Sequence, residues 1–524
     1  MSGKQRILIL GAGVMQGPAL TIAKEMGLET VAADGDPCAA CVSLADRFEN
    51  VDLKDKEGIE ALARSLAENG GLAGVMTAGT DFSAAVAWTA ERLGLPGISW
   101  ETALDASDKE RMRRRFKAAG VPSPEFIIIS EPPSKNSGFS LPFSWPAVVK
   151  PVDNMGSRGC RRVDNAGELE TAAAEAFTFS RSGRVIVEEY MDGPEFSVDA
   201  LVYQGEITIC GLADRHIFFP PYFIEMGHTM PSSIDTSSAC ALLEAFKAGV
   251  RALGIGNGAA KGDLKLTSKG PMIGEIAARL SGGYMSGWTY PYASGVLPTR
   301  GAIQIAIGQK PGGLEPKKNW TCAERAFISI PGRVRSVSGL DKARSVPAFK
   351  DLFMRIREGS LVAFPENNVT KCGNIISAAP GRAEAAASAE AAARSILIRL
   401  VAPDNATAAF LAPRGAEQGS GFPPDAFVLD ARLRGLLDAL PDTAAESGTE
   451  PALVPFPEFT GSGLTDWAGR SVLESLAAVR LLTGLSLPSG DRGGVLGRPF
   501  WAALVRGGYQ GAVYYLDSLG IGKQ

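Results

Sequence analysis

The architecture of this chain can be worked out from KGDLKLTSKGPMIGEIAARLSGG, residues 261–283. Apolar and polar residues alternate on both sides of a Ser-Lys-Gly segment, which predicts two strands joined by a turn at residues 268–270. The strands would present Asp263 and Glu275 from adjacent positions, and paired carboxylates facing a triphosphate are what Mg²⁺ requires. A solvated hairpin of mixed charge is the alternative. Three cations lie beside the carboxylates: Lys261, Lys265 and Arg279.

A second segment suited to phosphate is PAVVKPVDNMGSRG, residues 146–159. An apolar strand delivers Lys150, and a flexible loop with Gly156, Ser157 and Gly159 follows it. Backbone N–H groups in such a loop can close over phosphate oxygens, and a lysine at the strand end adds a point charge. A hairpin with a surface lysine would have the same sequence pattern.

A third segment, VIVEEYMDGPEFSVDA at residues 185–200, predicts a purine pocket. A buried strand ends at Glu188, and another begins at Glu195 after a short connection. Main-chain groups between Glu189 and Met191 are placed to read an adenine edge, with Met191 against the ring and Glu195 accepting from ribose hydroxyls. The alternative is an ordinary pair of strands with an acidic turn.

A fourth segment, PYFIEMGHTMPS at residues 221–232, carries Glu225 and His228. The chain has only two histidines, so His228 is a candidate for chemistry. A satisfied core histidine is the more common case, and the residues alone leave the choice open.

The first hundred residues alternate between strand and helix periods, which predicts a doubly wound parallel sheet. Strands are predicted at residues 6–10 and 29–34, with a helix at 18–27 between them. Gly11, Gly13 and Gly17, followed by Asp34, resemble a dinucleotide fingerprint, but the GxGxxxG spacing departs from it. A nicotinamide-dependent oxidoreductase is therefore a remote alternative.

Composition bounds the function classes. The 524 residues carry a net charge of −4, with 45% hydrophobic and 21% charged residues, so we expect several globular domains and no nucleic acid partner. The Arg-rich run at residues 111–115 lies in a helical pattern and is expected to be a solvated face. Scattered cysteines predict reduced thiols, and no apolar run is long enough for a membrane span. We therefore expect a cytoplasmic protein with no membrane partner.

Taken in order, these segments resemble the ATP-grasp superfamily, and within it the carboxylate-amine ligases that include the L-amino acid (dipeptide) ligases. The resemblance covers about residues 5–400, and DKERMRRRFKAAGVPSPEF at 108–126 is similar to the family's entry to the domain. It implies that Lys109 and Lys150 are the two ATP lysines and that Asp263 and Glu275 hold magnesium. The nucleotide contacts implied are Gly156, Ser157 and Gly159 in the loop, with Glu188, Glu189, Tyr190, Met191 and Glu195 at the purine.

The resemblance also implies the groups that act on the substrate. Arg279 would contact the transferring phosphate or the acyl intermediate, His228 the phosphate, and Lys261 would assist them as a catalytic cation. The implied substrate contacts are Glu225, Gly282 and Gly283, the last two opening the acceptor loop. One departure is Ala277, where the family commonly has an asparagine that helps hold a second metal.

The implied fold is α/β, with an N-terminal doubly wound parallel-sheet domain, an ATP-grasp of two α+β subdomains and a C-terminal α+β extension. The boundaries follow the breaks in the sequence: 1–100 Rossmann-like, 101–183 small subdomain, 184–315 large subdomain, 316–405 C-terminal lobe and 406–524 without an assigned role.

The implied function is ATP-dependent ligation with ATP and Mg²⁺ as cofactors. A substrate carboxylate is phosphorylated, and an amine then displaces phosphate to form an amide or peptide bond. The partners would be small-molecule carboxylate and amine substrates, such as amino acids, and related ligases are often homodimers. Two alternatives remain: other ATP-grasp chemistry, carbamoyl-phosphate-like or a carboxylase, and a non-catalytic nucleotide-binding protein, which Ala277 would favour.

Overall fold

The computed structural model describes residues 4–132, 140–412, 421–445, 451–490 and 495–521. The chain divides into two compact units. The first comprises Met1–Ile217, His228–Glu324 and Ala378–Arg382, and the second comprises Phe218–Gly227, Arg325–Ser377 and Ala383–Gln524. No helix of the described residues is both long enough and apolar enough to cross a membrane.

The first unit begins with a parallel sheet of order β3-β2-β1-β4. Its core is aliphatic, with Leu8, Val31 and Val75 from the strands packing on Ile59 and Ala63 of a crossover helix. The strands are β1 (Arg6–Leu10), β2 (Glu29–Asp34), β3 (Arg47–Asn50) and β4 (Leu72–Thr77), and the helices are α1 (Gly17–Glu25), α2 (Lys56–Glu68), α3 (Ser83–Leu93), α4 (Trp100–Ser107) and α5 (Lys109–Ala119).

An antiparallel sheet of order β5-β8-β6-β7 follows, with one helix packed on it. Alanines at helical spacing in that helix lie against Val149 and Val187 of the sheet, so a small apolar face sets the close packing. The elements are β5 (Phe126–Ile129), β6 (Ala147–Pro151), β7 (Arg161–Val163), α6 (Ala166–Phe179) and β8 (Val185–Glu189).

The largest body of the first unit is built on antiparallel strands in the order β13-β12-β9-β10. Phe246 and Val250 of a long helix cover the strands, and Gly262 lets Phe246 approach, because a Cβ there would lie 2.5 Å from its ring. The elements are β9 (Glu195–Tyr203), β10 (Glu206–Phe218), β11 (Ile224–Met230), α7 (Thr236–Ala252), β12 (Gly258–Thr267), β13 (Gly270–Ala277), α8 (Tyr290–Ser294), α9 (Pro298–Ala306) and β14 (Thr321–Phe327), with a π-helical turn at Met285–Thr289.

The second unit contains a three-stranded sheet of order β17-β15-β19 and an antiparallel pair of β16 with β18. Leu397 at the start of β19 shares one core with Trp501 and Leu504 of the last helix. The elements are β15 (Gly332–Ser338), α10 (Leu340–Arg344), β16 (Phe349–Met354), β17 (Leu361–Val362), β18 (Gly373–Ala379), α11 (Arg382–Ser395), β19 (Leu397–Leu400), α12 (Asn405–Leu411), α13 (Ala431–Asp438), β20 (Ala452–Leu453), α14 (Pro457–Thr460), α15 (Val472–Thr483), β21 (Val495–Leu496) and α16 (Arg498–Ser518).

The α/β fold class predicted from the sequence is confirmed, including the N-terminal parallel sheet and the α+β C-terminal region. Two local predictions were wrong. The alanine-rich stretch at residues 384–400 predicts a helix to its end, but the helix stops at Ser395 and Leu397–Leu400 form a buried strand instead. The Arg-rich run is not wholly a solvated face either, since Arg113 is fully buried.

Candidate functional site

Two neighbouring antiparallel strands of the first unit, β9 and β12, carry several of the polar residues predicted to form the site. In the register of β9 with β12, Glu195 is opposite Lys265, Ser197 is opposite Asp263, and Asp199 is opposite Lys261. Residues at every second position of a strand share one face. One face of this pair of strands is therefore a row of acidic, hydroxyl and basic groups.

Asp263 and Glu275 are directly opposite each other in the register of β12 with β13, as the hairpin pattern predicted. Ser197 Oγ donates to Asp263 Oδ1 at 2.8 Å, while Lys261 Nζ donates to Asp263 Oδ2 and Arg215 Nη1 lies 3.3 Å from it. Burial would raise the pKa of Asp263, but the charges of Arg215 and Lys261 outweigh it and hold the pKa at about 2. Asp263 is therefore an anion that anchors two cations.

Glu275 is the more open of the two carboxylates, with 35% of its side chain exposed. Burial would raise its pKa, but the charges of Lys109 and Lys261 lower it below the usual range. An ionised pair of carboxylates suits a hard cation such as Mg²⁺. Glu275 is open enough to bind the cation directly. At Asp263 the cation would compete with Lys261 and Arg215, which both contact Oδ2.

Ala277 contributes no ligand atom, and its cross-strand partner is Lys261. The position where the family commonly has an asparagine therefore faces an ammonium group that is bound to Asp263. A fixed cation thus lies beside the carboxylate pair at the place where a second metal ligand is missing.

Lys109 brings the glycine-rich loop and the carboxylates together. It is the first residue of α5 and is buried, its Nζ donates to the carbonyl oxygen of Asn154 at 2.8 Å, and the same atom lies 3.8 Å from Glu275 Oε2. The predicted phosphate-binding loop and the predicted metal strand therefore meet at one lysine.

The glycine-rich loop after β6 is built on left-handed backbone. Gly156, Ser157 and Gly159 have φ values of 70°, 59° and 66°. A Cβ on Gly159 would lie 2.8 Å from the ring of Phe179, so the close packing of the loop on α6 requires glycine there. Ser157 holds this conformation without being a glycine, which makes it a strained point in the loop.

Lys150 is at the end of β6, and its Nζ lies 2.7 Å from Glu188 Oε2. Arg113 Nε lies 2.9 Å from Glu188 Oε1, and both of these side chains are buried. Burial would raise the pKa of Glu188, but the charges of Arg113 and Lys150 lower it overall. Glu188 is thus the counter-ion that fixes Lys150 at the mouth of the loop.

The predicted purine pocket lies along the connection from β8 to β9. Tyr190 is flanked by two cations, with the guanidinium of Arg162 4.9 Å and Lys265 Nζ 5.1 Å from its ring centre. Lys265 Nζ also donates to the carbonyl oxygen of Met191 at 3.1 Å. Glu189 pairs instead with the exposed Lys269 at the rim.

Glu195 begins β9, as predicted, and contacts two cations. Lys265 Nζ lies 3.0 Å from Glu195 Oε1, and Arg215 Nη1 lies 3.2 Å from Oε2. Arg215 therefore joins Glu195 of the purine segment to Asp263 of the metal strand. Arg215 was not predicted from the sequence, because an arginine within a mixed strand such as GLADRHIF carries no distinguishing pattern.

Asp199 was also missed, although its even spacing from Glu195 and Ser197 places it on the same strand face. It is buried, and Ser286 Oγ donates to its Oδ2 at 2.5 Å. Ser286 Oγ in turn accepts from the N–H of Ser281 at 3.0 Å, so Asp199 anchors the loop that begins there. Burial raises the pKa of Asp199 to about 6.

Arg279 follows β13 and donates through Nη1 to the carbonyl oxygen of Leu280 at 3.1 Å. Its Nε is buried with no hydrogen-bond partner among the described residues. Gly282 lies against the end of β4, where a Cβ would come within 2.8 Å of the carbonyl oxygen of Gly79. The N–H of Gly283 donates to Ser281 Oγ at 3.3 Å, which closes the predicted acceptor loop on itself.

His228 lies on β11 and is buried, with Nδ1 2.9 Å from Glu324 Oε2. A carboxylate at one ring nitrogen fixes the orientation of the imidazole. In the second unit, the N–H of Glu225 donates to Asn368 Oδ1 at 2.8 Å, and Lys371 Nζ lies 4.0 Å from Glu225 Oε1.

The glycine turn after β1 gives the oxidoreductase alternative no support. Asp34 Oδ2 accepts from the N–H of Ala12 at 2.7 Å, and Gln16 Oε1 accepts from the N–H of Gly13 at 2.9 Å. A Cβ on Gly11 would lie 2.8 Å from the amide carbon of Gln16. Asp34, the acid that a dinucleotide's ribose would need, is therefore bound to the turn, and the side chain of Gln16 fills the space next to Gly11.

Comparison with known proteins identifies two domains in the chain. Residues 143–287 match the ATP-grasp domain, and residues 326–401 match the L-amino acid ligase C-terminal domain 2. Among solved structures, L-amino acid ligase from Bacillus licheniformis superposes with a TM-score of 0.66 at 22% identity, covering 76% of this chain and 99% of that one.

Curated relatives match at similar identity. Uncharacterized protein y4rH of Sinorhizobium fredii is 25% identical over 71% of this chain and 78% of its own length. Carnosine synthase 1 of Gallus gallus is 26% identical over 59% of this chain, and D-alanine–D-alanine ligase of Hydrogenovibrio crunogenus is 27% identical over 37% of it. The matched part spans 36% of the carnosine synthase and 55% of the D-alanine–D-alanine ligase.

Proposed function

Because residues 143–287 match the ATP-grasp domain and residues 326–401 match the L-amino acid ligase C-terminal domain 2, we propose that the protein is an ATP-dependent carboxylate–amine ligase. ATP would phosphorylate a substrate carboxylate, giving ADP and an acyl phosphate. An amine would then attack the acyl carbon and displace phosphate, forming an amide bond. The observation that carries this proposal is the position of Lys109 Nζ, which reaches both the glycine-rich loop and Glu275.

The physical requirement of the first step is cancellation of negative charge, because a carboxylate must approach a triphosphate that repels it. Lys109 and Lys150 supply positive charge from two sides, and each is held by an acid that keeps it in place. N–H groups of the loop at Gly156, Ser157 and Gly159 would surround phosphate oxygens. Fixed charges of this kind lower the barrier because they need not reorganise during the reaction.

Glu275 and Asp263 would hold Mg²⁺, which would supply neutralisation of the phosphate charge. This chain's own residues place a second positive charge beside that cation, on the lysine that shares Asp263 with it. Lys261 holds one Asp263 oxygen and lies opposite Ala277, so it supplies a permanent positive charge beside the metal. This arrangement favours an active site over the non-catalytic alternative that Ala277 would otherwise suggest.

The purine would lie along the hinge of Glu189, Tyr190 and Met191, with Glu195 accepting from ribose hydroxyls. Glu188 would serve indirectly, by fixing Lys150. On the substrate side, the buried Nε of Arg279 is available for an acyl phosphate oxygen, and His228 would contact the same phosphate. Glu225, Gly282 and Gly283 would contact the substrates.

Amino acids are the proposed substrate class. Residues 326–401 match a domain named for L-amino acid ligases, and one curated relative is a D-alanine–D-alanine ligase, so both names refer to the ligation of amino acids. Lys109 and Lys150 would receive the carboxylate of one amino acid, because both offer an ammonium group beside the glycine-rich loop.

The test is incubation of the protein with ATP, Mg²⁺ and pools of amino acids, with detection of phosphate and mass analysis of new products. We expect phosphate release that depends on the amine and a product one water lighter than its two substrates. Lys150→Ala and Glu275→Ala should abolish turnover while the protein stays folded. Lys269→Ala, which removes an exposed lysine at the rim, is the matched control.

The other outcomes separate the alternatives. Phosphate release that requires bicarbonate instead of an amine would indicate a carboxylase-like reaction. Binding of ATP with no turnover against any substrate pool would indicate a nucleotide-binding protein. Near-normal turnover in Lys150→Ala or Glu275→Ala would show that the site is assigned to the wrong residues.

A further inference from the structure

Residues 219–223 connect β10 to β11 and end two residues before Glu225. This connection is named here the β10–β11 loop. A shift in its position would also move Glu225, the residue proposed to contact substrate. The loop presents two aromatic side chains to the rest of the second unit, Phe219 and Tyr222.

Both aromatic side chains of the loop are held in a network of rings, named here the aromatic cluster. Phe219 packs on Phe364 at 5.1 Å between ring centres, and Tyr222 packs on Phe422 at 4.7 Å, both edge to face. Phe364 is the hub, with Phe422 at 5.6 Å and Trp467 at 5.0 Å. The cluster consists of Phe219, Tyr222, Phe364, Phe410, Phe422 and Trp467.

Half of the cluster comes from residues 406–524, the part of the chain to which the sequence assigns no role. Phe410, Phe422 and Trp467 belong to it, and the matched family profiles end at residue 401. These profiles therefore describe the loop and Phe364 but not the rings that cover them.

The rings from this region are fixed by a buried arginine of the last helix. Arg506 donates through Nε to the carbonyl oxygen of Phe410 at 3.0 Å and through Nη1 to that of Pro423 at 2.9 Å. Its guanidinium carbon also lies 4.0 Å from the centre of the Phe410 ring. The backbone on either side of the cluster is thus tied to α16.

Glu225 itself is held from the same side of the second unit. Lys371 is buried and donates to the Glu225 carbonyl oxygen at 2.6 Å, while Asn368 accepts from the Glu225 N–H. Both residues follow Phe364 within eight positions, so the hub of the cluster and the groups that hold Glu225 belong to one connected segment.

We propose that the described residues of the C-terminal region, 406–412, 421–445, 451–490 and 495–521, form a brace that fixes the β10–β11 loop through the aromatic cluster and thereby positions Glu225. Phe422 and Trp467 are positioning residues in this scheme, since they act through Tyr222, Phe364 and the segment that holds Glu225. The proposal rests on the proposed function for the statement that Glu225 contacts substrate. It assigns the C-terminal region to substrate affinity and not to nucleotide binding.

The kinetic test compares two leucine substitutions in the same region. Phe422→Leu removes the ring that contacts Tyr222, while Phe459→Leu removes a fully buried ring that packs on Phe427 and Trp501 away from the loop. For Phe422→Leu we expect the KM of the amino acid substrate to rise about tenfold and the KM of ATP to stay within about twofold, because only loop positioning is lost. Phe422→Tyr, which keeps the ring, should restore the substrate KM.

A merely structural role would affect both substrates alike. Equal changes in the two KM values, or the same substrate KM change in Phe459→Leu, would overturn the brace. If Phe422→Leu does not fold, Trp467→Phe provides a milder version of the same loss, with the same expected split between the two KM values.

A second measurement does not depend on the protein being a ligase. Hydrogen exchange of a peptide covering residues 219–225 should be faster in Phe422→Leu than in the natural protein and unchanged in Phe459→Leu. Equal exchange in all three proteins would overturn the brace even if ligase activity is found. Faster exchange in a protein with no amine-dependent turnover would support the brace and leave the proposed function as the part that failed.

Discussion

At the scale of single residues, the site is organised by pairs in which an acid holds a cation. Glu188 holds Lys150, Asp263 holds Lys261, and Glu195 holds Lys265. Each pair is at least partly withdrawn from water, so the cation is held by geometry as well as charge. A triphosphate would therefore meet positive groups already in position.

Replacing Glu188 with glutamine tests how much the buried pair stabilises the fold. We expect Glu188→Gln to lower the free energy of unfolding by about 3 kcal/mol, because it leaves Lys150 and the fully buried Arg113 without a counter-ion. The neighbouring Glu189→Gln is the control. Its partner Lys269 is 68% exposed, so the loss should stay below about 1 kcal/mol. Urea unfolding of the two variants measures both, and equal losses would contradict the assignment.

Lys261→Met separates the two roles of that lysine. Without the ammonium group, Asp263 has one competitor fewer, so we expect Mn²⁺ to bind the ATP-free protein more tightly, as measured by electron paramagnetic resonance. Turnover should nevertheless fall about 100-fold, since a fixed cation beside the phosphates is gone. Lys247→Met, which removes a lysine paired with Glu244 on the surface of α7, controls for general effects. Weaker Mn²⁺ binding in Lys261→Met would show that the lysine supports the metal instead of competing with it.

At the scale of secondary-structure elements, the sequence predicted the strands of the site closely. It placed the start of β9 at Glu195 and the turn between β12 and β13 at residues 268–270, because period-two alternation and a glycine turn mark both. It did not predict α16, whose glycines include Gly508 with a non-helical φ of 60° inside the helix. The burial of Arg113 could not be predicted either, because it depends on an ion pair with Glu188, which lies 75 positions away in the sequence.

Asp199 of β9, which accepts a hydrogen bond from Ser286 of the π-helical turn, makes the stability of the fold depend on pH. Burial raises the pKa of Asp199 to about 6, so the folded protein binds a proton there that the unfolded chain, with a pKa near 3.8, has already released. The contribution of Asp199 is therefore most favourable below about pH 4 and is lost as the pH rises through about 6. Asp199→Asn removes this dependence. The difference in free energy of unfolding, Asp199→Asn minus the natural protein, should therefore be larger at pH 7.5 than at pH 4.5. Urea titrations of both proteins at these two pH values measure it. A constant difference would contradict the prediction.

At the scale of the whole molecule, most of the predicted segment 316–405, namely Arg325–Ser377 and the residues from Ala383 onward, folds in the second unit together with the described residues of 406–524. Tyr509 hydroxyl accepts from the N–H of Ile398 at 2.8 Å, and Gln510 Nε2 donates to Ser329 Oγ at the same distance. Such contacts are made between distant positions and leave no periodic pattern in the sequence. This is why breaks in composition could suggest a boundary near residue 405 but could not show that a core is shared across it.

Ending the chain after residue 405 tests whether that shared core is needed. The truncation would expose Leu397, which packs among residues of the last helix. It would also remove Asp517, whose Oδ2 accepts from Arg399 Nε at 2.8 Å and whose Oδ1 accepts from Arg399 Nη2 at 2.5 Å. A buried arginine without its partner costs about 3 kcal/mol, and the lost apolar burial adds to it. We expect the truncated chain to aggregate or to melt at a clearly lower temperature, as measured by light scattering and calorimetry.

Arg399→Met in the full chain should lower the melting temperature by a smaller amount, since only the ion pair is lost and the core is kept. A truncated chain that stays monomeric with an unchanged melting temperature would show that residues 406–524 are a separate domain, and the brace on Glu225 would then have no rigid support.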